Sequence, residues 1–544
     1  MTKERLIEKR PTKRKRAVLV GVAGSFNAFS LSLYNLKAFA YSDPNIKVNW
    51  DLPVIQHPLI NQDEKVKFDS EVKDLADRII DREPDLVVFS CYMWNVKTFQ
   101  EVAKQIVQKL PSVLFLWGGP EMSRDYILEG MFDDFDAHFI ISGEGEKAFQ
   151  EILSYLTTEQ PSLAEIGGLS YRQSKNDSFQ VNEKRTPFKS LLEVPSPYLN
   201  GYVDDEVLIR KEVEANIECQ RGCILRCAYC VYNKDMGRIS YSTPQRVIEE
   251  VLYVCHRGVK RIRFVDANFS SNLDHAKAIM RGLIEYQVEA RIMFELIPGF
   301  IDEELASLFS QFKNLHDWND LTIGVGVQTI NYEVLRRMKR GIRLSAFEKT
   351  FDLCEKYGIY AKIDLIIGLP GEDIKSIERT LEYFLDRLRN SQAHLLCCHH
   401  MRGLPGTDLL NIAKEYGMVF SSEREPHELI ESPILPRQDM LKCLRRTAVV
   451  FRLVNHKGWA NKEFVSEKRS SDTSIRDTFF ETRDRLGISN VELIDLMIEK
   501  LMPYMAKQEQ NFAKPDFPYA ETWWWTWSRV VVSNKWLIKC LNSL

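Results

Sequence analysis

The sequence predicts an α/β protein built from two successive strand–helix series. The first reads as a Rossmann-like domain, the second as a partial (β/α)6 TIM-type barrel, and a mainly helical C-terminal subdomain follows. Two observations predict this. Continuous apolar runs of strand length alternate with helical patterns, once in residues 1–155 and again in residues 208–415. Glycine-rich turns follow several of these runs, as they do at the carboxyl ends of parallel strands that hold ligands. Residues 156–207 read as a linker and 416–544 as the helical subdomain. A chain of 544 residues accommodates this many units at roughly 150 residues each.

The first series begins with "RAVLVGVAG", then "PDLVVFSCYMWN", "SVLFLWGGPE" and "AHFIISGEGE". Between them "TFQEVAKQIVQKL" repeats apolar residues at helical spacing. The runs end in Gly21 to Phe26, Ser90 to Asn95, Gly118 to Glu121 and Gly143 to Glu146, where glycine lets backbone approach a bulky ligand. Neither GxGxxG nor GxxxxGK[ST] is present, which argues against NAD and ATP. The linker is polar and turn-rich, with room for a small hairpin. The second series supplies "EANIEC", "RIRFVD", "ARIMFEL", "LTIGVGVQ", "AKIDLIIGL" and "HLLCCHHM", with chemistry expected at the carboxyl ends. The last segment shows helical patterns such as "DTFFETRDRLG" and ends near "WWWTW", Trp523 to Trp527. That aromatic run reads as core packing or as a wall over an apolar substrate.

Composition narrows the function. Net charge is −3 and hydrophobic content 44%, so nucleic acid is a poor partner. The one basic run, Lys9 to Arg16, reads as a solvated tail. No apolar run reaches the ~20 residues of a membrane helix, and the N-terminus lacks a signal core. The 11 cysteines are odd in number and unevenly placed, which suits a reducing cytoplasm better than a disulfide framework.

The densest chemistry lies in "ECQRGCILRCAYC", Glu218 to Cys230, directly after the first barrel strand. Cys223, Cys227 and Cys230 have the spacing C-x3-C-x2-C. Three thiolates on one loop suit an iron–sulfur cube with one iron left open. Arg221 and Arg226 lie beside them in sequence and favour the thiolate form. The alternative is zinc on Cys219, Cys223, Cys227 and Cys230. Structural zinc usually draws its ligands from two separated knuckles, and here all would come from one segment.

This motif, with Tyr229 just before its last cysteine, resembles the signature of the radical S-adenosylmethionine (SAM) superfamily. "FVDANF", "GVQTIN" and "DLIIGLPGED" resemble its barrel, and "FSCYMWN", "LWGGPE" and "SGEGE" resemble the cobalamin-binding domain often fused to it. The resemblance implies a 4Fe–4S cluster on Cys223, Cys227 and Cys230, with SAM chelating the open iron. It also implies SAM contacts from Tyr229 near the adenine, Asp266 and Asn268 toward the amino group, Glu295 and Gln328 toward the ribose, and Gly368 on the adenine side. Packing roles for Glu295 and Gln328, and a plain tight turn at Gly368 to Gly371, remain open alternatives. For cobalamin it implies Ser90, Tyr92, Trp94, Gly118, Gly119, Gly143 and Glu144, with core packing the alternative for the two aromatics. The Asp-x-His-x-x-Gly motif that supplies a cobalt ligand elsewhere is absent. In "CCHH", strand alternation lets only Cys397 with His399, or Cys398 with His400, share a face.

The implied activity is methyl transfer from SAM through cobalamin to a carbon of a small-molecule or peptide substrate, with a flavodoxin or ferredoxin as electron donor. Rivals are a cyclisation or rearrangement with the same cofactors, a polar methyl transfer, and a sensory protein with a cobalamin module. A tRNA methylthiotransferase shares the barrel motif but needs more N-terminal cysteines than Cys91, the one that precedes Cys219.

Overall fold

In the computed structural model the described residues are 14–23, 28–58, 60, 65–210, 212–232, 239–389, 394–421, 427–454, 473–500 and 540–544. Trp523 to Trp527, most of the basic run and Gly24 to Phe26 lie outside them. The chain divides into two compact units, Met1–Ala215 and Asn216–Leu544.

The first unit is an eight-stranded sheet. Its strands are β1 (Lys15–Val22), β2 (Trp50–Asp51), β3 (Val54–His57), β4 (Leu86–Ser90), β5 (Leu114–Gly118), β6 (Phe139–Ile141), β7 (Leu169–Tyr171) and β8 (Gln180–Val181). Strands β1 to β6 pair in parallel. Both faces are covered: Phe89, Phe99, Phe115 and Trp117 pack on one side, and Leu116, Phe149 and Ile152 on the other. Double-sided burial is why these strands read as unbroken apolar runs. Strands β2 and β3 are too short and mixed to carry such a signal. The hairpin allowed for in residues 156–207 forms as β7 and β8, but it joins the first sheet antiparallel to β6 instead of bridging two domains.

The second unit carries the six barrel strands: β9 (Glu214–Ile217), then β12 (Arg261–Phe264), β13 (Arg291–Leu296), β14 (Asp320–Gln328), β15 (Tyr360–Ile367) and β16 (His394–His400). A two-stranded ribbon, β10 (Gln220–Arg221) with β11 (Ser240–Tyr241), lies between β9 and β12 in the chain. The barrel strands stand side by side in chain order, and neighbours from β12 to β16 pair in parallel. Each of the six sequence runs is a strand. Alternation sorts their side chains: Phe294, Ile323, Val325, Ile363 and Leu365 are fully buried on the helix-covered face, while Glu295, Lys362 and Asp364 lie on the opposite face. Helices Arg437–Val454 and Thr473–Leu486 belong to the described part of the C-terminal subdomain, as does the antiparallel pair Val419–Phe420 and Leu429–Glu431.

Candidate active site

The ribbon β10–β11 closes the base of the cysteine loop. Asp266, after β12, anchors that base. One carboxylate oxygen accepts from the backbone N–H groups of Cys219 and Gln220 at 2.9 and 2.8 Å, and the other accepts from the Cys219 thiol at 2.9 Å. Asp266 is 1% exposed, and burial pushes its carboxyl up to about 7. Cys219 is likewise buried, and its thiol is held well above the ordinary value by that burial and by Asp266. It therefore stays a thiol turned to Asp266, which removes the fourth sulfur that the zinc reading requires. Among the described residues no three His, Cys, Asp or Glu side chains converge to hold a single metal ion.

The other cysteines are built differently. Each sulfur accepts one N–H: Cys223 from the Leu225 backbone at 3.4 Å, Cys230 from the Tyr232 backbone at 3.4 Å, and Cys227 from the Arg340 guanidinium at 3.3 Å. Donors aimed at sulfur are what thiolate ligands of a cluster receive. The loop is pinned on both sides of its last turn, by Ala228 N–H to the Met338 carbonyl at 2.9 Å and Leu409 N–H to the Ala228 carbonyl at 2.8 Å. Loading iron onto these thiols displaces their protons. The donor set fits a 4Fe–4S cube. Arg221, expected beside the thiolates, instead pairs with Glu218 at 2.8 Å. The cation that reaches sulfur is Arg340, over a hundred residues away, and nothing local in the sequence signals it.

The expected SAM residues separate into two groups. Tyr229 belongs to the loop, and its buried hydroxyl has no hydrogen-bond partner. Glu295 and Gln328 lie on the charged face of the barrel. Asp266 and Asn268 serve the scaffold. Asn268 Oδ1 accepts from Ile297 N–H at 3.0 Å, and its carbonyl accepts from Gln220 Nε2 at 2.8 Å. Gly368 has φ +94°, and a Cβ there would lie 2.7 Å from Leu429 and 2.8 Å from Met440, so this turn admits only glycine.

A charged row that the sequence reading missed crosses the barrel face. Glu295, Gly324 and Lys362 are in register on neighbouring strands, as are Asp364 and Cys397. Lys362 Nζ lies 3.1 Å from Asp364 and 3.8 Å from Glu295, and His399 Nε2 lies 2.8 Å from Asp364 Oδ1. Burial alone would push Lys362 down and Asp364 up. Their mutual attraction, with Glu295 and His399 beside them, reverses both shifts and keeps the pair ionised. A Cβ at Gly324 would fall 2.0 Å from Glu295 Oε2, so glycine makes room for that carboxylate. The alternating charges in "AKIDLII" are the signal that marks this row. Cys397 and His399 share its face. His400, on the other face, is 3.8 Å from Glu428.

In the first unit the expected cobalamin residues gather at the strand ends. Tyr92 and Trp94 stack at 4.5 Å and 11°, both half-buried and so not core. Trp94 Nε1 and Asn95 Nδ2 both donate to the Val22 carbonyl at 3.1 Å, tying this loop to the end of β1. Ser90 Oγ meets Ser32 Oγ at 3.2 Å. Gly119 has φ +112°, and a Cβ there would lie 2.4 Å from the Cys91 carbonyl, so the turns after β4 and β5 touch only through glycine. Gly143, at φ +88°, follows β6, and Glu144 accepts from Phe188 N–H at 2.7 Å. Backbone, hydroxyls and glycine openings fit a large neutral ligand that lies over a strand edge.

A radical SAM superfamily model matches residues 217–384, and a B12 binding domain model matches residues 61–153. The chain thus carries a match to each of two domain families, and the cofactors those domains imply are cobalamin, SAM and a 4Fe–4S cluster. Among curated relatives, the cobalamin-dependent radical SAM methyltransferase TokK of Streptomyces tokunonensis is 28% identical over 63% of this chain and 49% of its own length. The 2-(S-pantetheinyl)-carbapenam-3-carboxylate methyltransferase of Streptantibioticus cattleyicolor is 27% identical over 63% of this chain and 49% of its own. The chain thus spans about half the length of these relatives. The solved structure of the cobalamin-dependent SAM radical enzyme OxsB with aqua-cobalamin shares the fold, with TM-score 0.64 and 14% identity over 98% of this chain and 84% of that one.

Proposed function

We propose that this enzyme is a C-methyltransferase that moves a methyl group from SAM by way of cobalamin to a carbon of a small-molecule or peptide substrate. The observation that carries the reading is the loop of three cysteines, each sulfur matched to an N–H donor, in a chain that also has a B12 binding domain. The names of the methyltransferase relatives support methyl transfer as the outcome. When bound, the cluster supplies the electron that cleaves SAM, and cobalamin carries the methyl group. Cys223, Cys227 and Cys230 would hold the cluster, and the strand-end loops around Ser90, Gly119 and Gly143 would hold the corrin.

The remaining work falls to the barrel's own side chains. Lys362 and Asp364 form a fixed ionic pair that orients polar groups of SAM or substrate without moving. Asp364 fixes the His399 ring through Nε2, which leaves the other ring nitrogen to hold or pass a proton at the substrate. A flavodoxin or ferredoxin would deliver the electron. A rearrangement with the same cofactors is the rival reading, and the mass of the product separates the two.

The test is anaerobic reconstitution of the full chain with iron, sulfide and cobalamin, followed by SAM turnover under strong reductant with a panel of small metabolites and peptides. SAM cleavage, S-adenosylhomocysteine and a product heavier by one methyl group are expected. A product of unchanged carbon count would establish the rearrangement. Cobalamin binding without any SAM cleavage would sink both.

A further inference from the structure

We propose that Arg340 is the buried counter-cation of the cluster and sets its reduction potential. This rests on the cluster reading above and goes beyond it, because Arg340 is not one of the ligands.

Arg340 is 7% exposed, and Cys227 beside it is 9% exposed. One guanidinium nitrogen donates to Cys227 Sγ at 3.3 Å and another to the Gly326 carbonyl. The third, Nε, is buried with no hydrogen-bond partner. Among the described residues no carboxylate pairs with it. A cation taken out of water without an opposing charge is costly, so native chains pair such groups. The negative charge available to this one is the thiolate set. A cube held by three thiolates is anionic, and gains a further negative charge on reduction. That is the charge an otherwise unpaired arginine would balance.

The surroundings hold the guanidinium there. The Met338 carbonyl accepts from the Ala228 N–H of the cysteine loop, so the arginine's own segment is tied to the loop two residues away. Lys339 then has φ +54°, a left-handed conformation that non-glycine residues adopt where their surroundings impose it. It turns the chain so that Arg340 comes back onto Cys227. On β14, a Cβ at Gly326 would lie 3.0 Å from Arg340 Nη2 and 2.6 Å from Gln328 Nε2, so glycine opens the berth for the guanidinium. A positive charge and an N–H donor on a ligand sulfur both favour the more negative, reduced cluster, and both raise its potential.

The measurement is an EPR-monitored redox titration of the reconstituted full chain, with iron content and the visible spectrum checked in each sample. The variants are Arg340→Gln, Arg340→Lys and Gly326→Ala. Arg340→Gln should load a cluster whose one-electron reduction is at least tenfold less favourable, a midpoint lower by about 59 mV. Arg340→Lys, which keeps the charge but loses the planar fork, should fall between it and the wild type. Gly326→Ala should also lower the midpoint, although it removes no charge, because its methyl displaces the guanidinium. An intact cluster with a wild-type midpoint in Arg340→Gln overturns the proposal. If that variant loads no cluster, unchanged midpoints in the other two overturn it. If none of the three loads one, the contact is structural only and the proposal is again lost. Wild-type protein that takes up no cluster refutes the cluster reading first, before any variant is compared.

Discussion

The two units offer ligands the same kind of surface, the carboxyl ends of parallel strands, and furnish it in opposite ways. In the first unit the strand ends are backbone, hydroxyl groups, a stacked Tyr92–Trp94 pair and glycines at φ +112° and +88°. In the second they are sulfur, guanidinium and a row of charged side chains on β13 and β15 with His399 of β16 beside it. The contrast follows from ligand chemistry. A wide, rigid macrocycle is held by shape over a surface kept free of Cβ atoms. A cluster and a zwitterionic sulfonium are small and charged, so they need charges that are oriented before the ligand arrives.

The strongest way to break the comparison is to empty one site and ask whether the other notices. Replacing Cys223, Cys227 and Cys230 together with alanine should lower SAM cleavage at least a hundredfold and remove cluster iron, while cobalamin uptake followed by visible absorbance stays near wild type. Loss of cobalamin binding in that variant would show the sites to be interdependent. The converse change is Gly119→Ala. Its φ alone costs about 3 kcal/mol, and the clash with the Cys91 carbonyl adds to that. Thermal unfolding should show a destabilised first unit that retains little cobalamin, with the iron content of the barrel unchanged.

A third change sharpens the electrostatic half. Glu372 is 2% exposed, and burial pushes its carboxyl up from 4.5 to about 7, although Thr329 and Ser376 donate to it. The folded state therefore holds that proton more tightly than the unfolded state. Its contribution to stability is complete below the ordinary carboxyl value, declines as pH rises, and levels off above about 7. Denaturant titrations should lose about 3 kcal/mol from this group across that window, and Glu372→Gln should reduce the slope, leaving the part that Asp266, likewise pushed up to about 7, contributes. A slope that the substitution leaves unchanged assigns it to another group. The smallest effect is expected from Gly324→Ala. The new methyl displaces Glu295 from Lys362 at a cost of about 1 kcal/mol. Turnover should fall several-fold while the cluster spectrum and melting temperature barely move.

What could be read without the structure tracks what is local. The cysteine loop was legible because its ligands lie within eight residues of one another, and the strands because burial on both faces writes unbroken apolar runs. Asp266 was legible as an acid after a strand, given a role toward SAM by resemblance, but not as the anchor of Cys219, since that contact spans 47 residues. Gly368 looked like an opening toward a nucleoside, and its neighbours turn out to be Leu429 and Met440, side chains from a segment with weak periodicity. Strands β7 and β8 read as linker because strands of three and two residues are too short to carry an alternation.

The sequence by itself determined the two α/β series, the cluster-type cysteine loop and the cofactor class, because apolar periodicity and ligand spacing are properties of short stretches of chain. Only the tertiary structure decided that Cys219 is withdrawn, that Arg340 meets Cys227, and that Glu295, Lys362, Asp364 and His399 form one row. Those contacts are made by strand register and loop closure, which bring together residues that no local pattern connects.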